Sequence, residues 1–465
     1  MIKFGTDGWR ANIARDFTFE NLHYAALGTA NYLLKKNKKD FKVVVGYDTR
    51  FLSAEFAAEV AKVLAENGIS VILSDSISTT PQVSYFTKIN NADLGVVITA
   101  SHNPPEYSGY KVKGTFGGPS TPEEIEAIEK EVNIAETKGK LIDLKDTNYY
   151  IDKDLISLVD FKTEFYNYVR KQIDIESIRA SNLKIMYDPM FGAGIENIQY
   201  LLDNVDTIHN YHSTNFGNVD HPEPIAECLG ELIDIIKKSD YDFAFATDGD
   251  ADRIGTVDNE GNFIDSHRIF MILLKYLYEH KGLRGKVAKT VSLTTMVNMY
   301  CEKHNIELIE TPVGFKYIAK LMVEEDILIG GEESGGLSTK LHIPERDGIF
   351  NAMLILEVMV KRNMSLKALS DELDEEFGVH RYRRKDIKVK EEVKSRIMNA
   401  CKNSPSKLGN YDVISIDTRD GYKFFVDGGW LIIRASGTEP LLRIYSEAKN
   451  MEMVDELIEC GINLS

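Results

Sequence analysis

Helical and strand periods alternate over roughly the first hundred residues. Leu22, Ala25, Ala26, Thr29 and Leu33 recur at the spacing of one helix face. The apolar run KVVVGYD then predicts a strand buried on both sides, as in a parallel sheet. Ser53 and Gly68 are expected to bracket a second helix as N-cap and C′ residues, and ISVILSD and DLGVVITAS supply further buried strands. This is a parallel α/β unit, and Ser101 follows the carboxyl end of one of its strands. Ligands of open α/β sheets collect at such ends.

The rhythm recurs. LKIMYDPMFGAG reads as a strand feeding a glycine-rich helix start, and YDFAFATDGDADRIG as a strand that ends in three aspartates. GKVAKTV, IELIETP and DILIGGEESGG give a third set of strands, followed by a helix from about Asp347. Beyond residue 380 the short strands YDVISID, YKFFV and WLIIRAS come in close succession before a terminal helix at Met451 to Cys460. The expected architecture is three related mixed α/β domains and a smaller C-terminal α+β domain, with boundaries near 150, 258 and 375.

Composition narrows the functional classes. The chain has 465 residues, 43% of them hydrophobic, enough to bury several cores. A net charge of −17 argues against a nucleic-acid binder, which needs basic stripes to displace counterions. A few local cations can still bind a phosphorylated small molecule. Cys228, Cys301, Cys401 and Cys460 are far apart and form no CxxC pair, so neither a disulfide framework nor a zinc site is expected, and a reducing cytoplasm is the simplest home. The longest apolar run, AMLILEVMV, is short and broken by Glu357, so no membrane partner is expected.

Four loops carry candidate chemistry. In TASHNPPEYSGYKV the Ser101-His102 pair lacks a G-x-S-x-G elbow, and adjacent side chains do not normally face each other; alone it reads first as a turn without catalysis. In TDGDADRIG, Asp248, Asp250 and Asp252 alternate after an apolar strand, so their carboxylates can converge on a hard cation such as Mg²⁺. An EF-hand loop would need Gly where Arg253 stands and Glu where Asn259 stands. In GGEESGG, Glu332, Glu333 and Ser334 sit between glycines and offer acceptors for sugar hydroxyls, although a plain surface loop has the same look. In IIRASGTEP, Arg434 with the Ser436, Gly437 and Thr438 turn can present a guanidinium, hydroxyls and backbone N–H groups to a phosphate.

These four motifs, in this order over almost the whole chain, resemble the α-D-phosphohexomutase family, which includes phosphoglucomutase and phosphomannomutase. The resemblance implies a four-domain fold around a central cleft, with Ser101 as a phosphoserine that gives a phosphoryl group to the sugar and takes one back. Mg²⁺ would be held by Ser101 and the three aspartates, with glucose 1,6-bisphosphate as activator. A phosphoserine near −2 and three aspartates exceed the +2 of one Mg²⁺ by about three charges, so cations must be close. By position these are Arg10, Lys111, Arg253 and Lys289, each of which could otherwise be a surface charge. Arg10 or Lys111 would assist proton transfer at the sugar hydroxyl, and His102 would be a phosphate or metal-shell contact. Glu332 and Ser334 would hold sugar hydroxyls, Arg434, Ser436, Gly437 and Thr438 the distal phosphate, and Gly314 and Lys316 in ETPVGFKYI would belong to a further substrate loop.

Glu-Glu-Ser in the sugar loop resembles phosphoglucomutases, so glucose 1-phosphate is the expected substrate. Phosphomannomutase or dual activity is the alternative and phosphoglucosamine mutase a more distant one; a loop reading mainly the 3- and 4-hydroxyls discriminates poorly at C2. Rival classes are a phosphatase, which would gain nothing from a distal phosphate loop, and a non-catalytic sugar-phosphate-binding protein, which would have no need of Ser101 with all three aspartates. The expected partner is a small sugar phosphate, and the protein a monomer or homodimer.

Overall fold

Each of the expected strands finds its partner in one of four sheets. The structure, a computed structural model, describes residues 2–5, 8–435 and 441–464, the side chain of residue 218 excepted. Among these, the first sheet runs in the order Trp9–Asn12, Tyr107–Gly114, Leu94–Ile98, Lys42–Tyr47, Ser70–Ser74, Ile156–Val159, with Gly118–Pro119 added at Tyr107–Gly114. Its central strands are parallel and its edge toward Trp9 is antiparallel. Every residue of Leu94–Ile98 is buried, as a strand covered by helices on both faces must be. Leu22, Ala25, Ala26, Thr29 and Leu33 are fully buried on the helix Phe19–Leu34, as their spacing predicts.

The second sheet places Phe243–Thr247 between Ile185–Asp188, to which it is parallel, and Ile254–Asp258, to which it is antiparallel. The third places Lys286–Thr290 between Leu308–Thr311 and Ile327–Gly331, both parallel, and ends in antiparallel Leu337–Thr339. The C-terminal sheet, in the order Arg381–Lys388, Leu441–Ala448, Gly429–Ala435, Tyr422–Val426, Tyr411–Asp417, Lys407–Leu408, is antiparallel throughout. Three mixed α/β units and a smaller α+β unit are therefore present. The buried helix Gly348–Arg362 packs on the strands of the second sheet, so the middle units share a core.

Two local expectations are corrected. Ser53 is the first residue of the helix Ser53–Glu66 and not its cap: Leu52 occupies the cap position at φ 59°, and the Ser53 hydroxyl is taken by Asp48 Oδ1 at 2.8 Å. After Ile185–Asp188 no glycine-rich helix begins. Met190 and Phe191 adopt positive φ, and the Ala193 N–H donates to Gly249 O at 2.9 Å, so the segment pairs with the aspartate loop. The sheet strands also extend past two of the expected boundaries, Ile156–Val159 joining the first sheet and Phe263–Ile264 the second.

A pattern common to all four units positions the site. In each, a strand runs into a candidate loop and returns antiparallel beside itself: Ile98 pairs with Tyr110, Thr247 with Ile254, Gly331 with Leu337 and Ala435 with Leu442. A cavity of about 540 Å³ is lined by Glu223 of the second unit, Asp265, Glu333 and Ser334 of the third, and Tyr382 and Arg384 of the C-terminal unit.

Candidate active site

Two loops meet first. Ser101 adopts φ 53°, the left-handed region that a serine occupies only when its surroundings hold it there. The holder is Arg50, almost wholly buried. Its Nε donates to Asp48 Oδ2 at 3.1 Å, Nη1 to the carbonyls of Pro104 and Tyr107, and Nη2 to those of Ser101 and Asn103 at 2.7 Å. All the N–H groups of the guanidinium are thereby used. The aspartate loop approaches so closely that a Cβ at Gly249 would lie 2.3 Å from Ser101 O, and only glycine fits.

The contact sets Ser101 Oγ 2.8 Å from Asp248 Oδ2. Asp248 Oδ1 accepts the N–H groups of Asp252 and Arg253. Asp250 Oδ2 accepts from Thr80 Oγ1 at 2.6 Å and Lys111 Nζ at 2.7 Å, and Asp252 Oδ2 from Arg346 Nη2 at 2.5 Å and Lys111 Nζ at 3.3 Å. All three aspartates are fully buried. Burial, with Asp250 and Asp252 next, pushes the Asp248 carboxyl well above its ordinary range. Burial acts the same way on Asp250, but the Lys111 ammonium, the Thr80 hydroxyl and Arg346 together outweigh it and hold that carboxyl low.

The donor set fits a hard divalent cation. One ligand atom from each aspartate lies within 4.8 Å of the others, and among the described residues Asp250 Oδ1 and Asp252 Oδ1 are buried with no hydrogen-bond partner. Carboxylate oxygens left this way are costly unless a metal takes them.

Around this centre stand most of the predicted residues. Arg10 donates to Asn103 Oδ1 at 2.7 Å, two residues from the serine. Arg253 Nη1 donates to Glu223 Oε1 at 3.1 Å. His102 Nδ1 is 3.4 Å from Ser101 Oγ, and burial followed by Arg253 and Arg10 drives its pKa well below the usual histidine value, so it is neutral at pH 7. Glu332 Oε1 accepts from Ser334 Oγ at 3.0 Å and Arg346 Nη1 at 2.9 Å. Arg346 thus joins the sugar loop to the aspartate loop.

Other predicted residues stand apart. Lys289, expected beside the serine, is instead buried against Leu293 O, Thr294 O and Glu310 of its own unit. Gly314 begins the helix Phe315–Glu324 at φ 131°, and Lys316 borders a cavity shared with Phe4, Glu126 and Glu129 of the first unit. Arg434 pairs with Asp420 and Tyr445. Ser436, Gly437 and Thr438 lie outside the described residues. Sequence reasoning missed Arg50, Thr80 and Arg346. The only hints were Asp48-Thr49-Arg50 directly after a buried strand and Arg346 directly before a helix cap.

Known proteins resemble this chain over nearly its whole length. Models of phosphoglucomutase/phosphomannomutase alpha/beta/alpha domains I, II and III match residues 1–138, 163–261 and 265–377, and that of the C-terminal domain matches 385–459. A phosphoglucomutase/phosphomannomutase of Thermococcus kodakarensis is 30% identical over 99% of this chain and 98% of its own. A probable phosphoglucosamine mutase of Pyrococcus furiosus is 31% identical over 98% and 96%. The crystal structure of a putative phosphomannomutase from Thermus thermophilus superposes with a TM-score of 0.86 at 33% identity, covering 98% of this chain and 97% of that one.

Proposed function

The chain belongs to the phosphoglucomutase/phosphomannomutase family of α-D-phosphohexomutases, which are intramolecular phosphotransferases, and from that premise we propose that it interconverts glucose 1-phosphate and glucose 6-phosphate through phosphorylated Ser101. The observation that carries the reading is the 2.8 Å approach of Ser101 Oγ to Asp248 within a buried trio of aspartates.

Phosphoryl transfer asks for in-line positioning and for charge to be stabilised on the moving group. Arg50 holds the serine loop in its strained form, so the phosphoryl group stands in a fixed direction. Mg²⁺ at Asp248, Asp250, Asp252 and the Ser101 oxygen would withdraw charge from that group. Lys111 and Arg10 supply fixed positive charge beside it and favour loss of the proton from the attacking sugar hydroxyl. His102, neutral, hydrogen-bonds without adding charge. Glu332 and Ser334 accept and donate to sugar hydroxyls in either orientation of the sugar. Arg434 with Ser436, Gly437 and Thr438 binds the phosphate that is not reacting. The bisphosphate turns over between the two transfers, and added glucose 1,6-bisphosphate primes unphosphorylated enzyme.

Glucose is favoured by Glu332, Glu333 and Ser334. The names of the relatives make mannose and glucosamine the sugars to test beside it. Conversion of each 1-phosphate should be followed with Mg²⁺ and a trace of the corresponding 1,6-bisphosphate. Ser101→Ala should abolish turnover and the phosphoprotein peak in the intact mass. Turnover that survives the substitution, or release of inorganic phosphate without isomerisation, would overturn the proposal.

A further inference from the structure

The turn from Asp417 to Gly421 in the C-terminal unit reaches across to the third unit. Arg419 donates to the Glu310 carboxylate at 2.6 Å and to its carbonyl at 3.3 Å. The Val313 N–H donates to Asp420 Oδ2 at 2.7 Å. That same oxygen lies 2.9 Å from Arg434 Nη2, while Arg434 Nη1 donates to Tyr445 OH at 3.2 Å. Arg434 is thus held on two sides, and among the described residues nothing accepts from its buried Nε–H. Gly421 closes the packing: at φ +76° a Cβ there would lie 2.4 Å from Ile433 O and 2.8 Å from Arg434 Cγ.

A guanidinium is a rigid planar fork, and a carboxylate that takes one N–H fixes where the others point. We propose that Asp420 is a positioning residue for sugar-phosphate binding: it orients the Arg434 fork and ties it, through the Val313 N–H, to the turn that enters the helix Phe315–Glu324 at Gly314. The inference rests on the reading of Arg434 as the arginine of the distal phosphate site. Because the distal phosphate is bound alike in ground and transition states, loosening its arginine raises KM and leaves kcat nearly unchanged. Arg419 docks the same turn without touching Arg434, which separates positioning from docking.

The experiment compares Asp420→Asn, Arg434→Ala, the double variant and Arg419→Met in the full chain, using the hexose 1-phosphate that wild type turns over, with thermal unfolding recorded for each. Asp420→Asn should raise KM about tenfold with kcat within about threefold, as loss of one charge-assisted hydrogen bond implies. The effect should vanish in the Arg434→Ala background, and Arg419→Met should stay within about threefold of wild type. Asp420→Glu, which keeps a carboxylate, should recover part of the affinity. If Arg434→Ala raises KM but Asp420→Asn does not, or if the two effects add in full, the positioning role is overturned while the phosphate-site reading stands. An equal rise for Arg419→Met reduces Asp420 to docking and overturns it too. If Arg434→Ala leaves KM unchanged, the phosphate-site reading itself fails and the inference falls with it.

Discussion

Replacing Arg50 by lysine should separate the geometry of the serine loop from its chemistry. Arg50 satisfies one carboxylate and four backbone carbonyls, those of Pro104, Tyr107, Ser101 and Asn103. An ammonium has three N–H donors on one atom, so at least two of these five acceptors lose their partner. Each buried acceptor left unpaired costs about 1–3 kcal/mol, and the loop can recover part of that by moving. Movement has a ready direction, because Ser101 at φ 53° stores strain of about 1–3 kcal/mol that relaxation would release. The serine Oγ would then leave its 2.8 Å contact with Asp248. A misplacement of about 1 Å in a site of this kind costs on the order of 100-fold in rate. We therefore expect Arg50→Lys to fold, to lower kcat about 100-fold, and to raise amide hydrogen exchange in residues 101–107. The assay is isomerisation with the bisphosphate in excess, with serine phosphorylation read from intact mass. A folded, phosphorylated variant whose kcat stays within about threefold of wild type would refute the claim that Arg50 sets the serine.

Lys423 is buried against Val291 O at 2.6 Å, and burial with the nearby Lys289 lowers its pKa to about 7. The folded value lies below the unfolded one, so the lysine favours folding most above the unfolded pKa of about 10.4 and loses that contribution as pH falls toward 7. Denaturation midpoints of wild type and Lys423→Met should therefore diverge from pH 10 to pH 7, the variant gaining by up to about 1.4 kcal/mol per unit; parallel curves would exclude a buried neutral lysine. Lys111→Met removes the ammonium shared by Asp250 and Asp252 and should cost about 3–5 kcal/mol, seen as a lower first unfolding temperature in EDTA. Saturating Mg²⁺ should recover much of the loss, and a deficit that Mg²⁺ leaves unchanged would speak against a cation at the three aspartates.

What could be read from the sequence was whatever is local in it. The strand-then-loop runs that end in Ser101, in Asp248 to Asp252, in Glu332 to Ser334 and at Arg434 are contiguous, and strand periodicity shows which way alternate carboxylates face. Arg50, Arg346 and Asp420 escaped because their roles depend on contacts with residues far along the chain. Arg346 meets Asp252 94 positions away, and Asp420 meets Val313 107 positions away. The misread cap at Ser53 has the same origin in short range: Asp48, placed by the buried strand before it, takes the hydroxyl that would have capped the helix. Lys289 differs from Lys111 in its partners: its ammonium is taken by Leu293 O, Thr294 O and Glu310 of its own unit, whereas that of Lys111 reaches Asp250 and Asp252.

The four equivalent hairpins explain how the labour divides. The loops of Ser101, of the three aspartates and of Glu332 are locked together by contacts of 2.5–3.3 Å through Asp248, Lys111 and Arg346, so this end of the site is one rigid piece made by the first three units. Arg434 stands on the fourth hairpin, and the C-terminal unit meets the third through a buried apolar cluster of Val291, Trp430, Ile432 and Tyr445, flanked by polar contacts at Arg419 and Asp420. On the proposed mechanism a sugar bisphosphate turns end over end, which needs one phosphate site it can leave and regain while the other stays fixed. The Arg419 contact, half-exposed on the arginine side, exchanges with water at little net cost, whereas the buried ion pairs of the reacting end do not. The division therefore predicts where mutations speak: changes in the first three hairpins should act on kcat, and changes at Arg434 and its partner Asp420 on KM. Glu310→Gln, which weakens the contact at Arg419 without touching Arg434 or the aspartates, should leave kcat unaltered, and a large fall in kcat would place the reacting end under the control of the fourth unit.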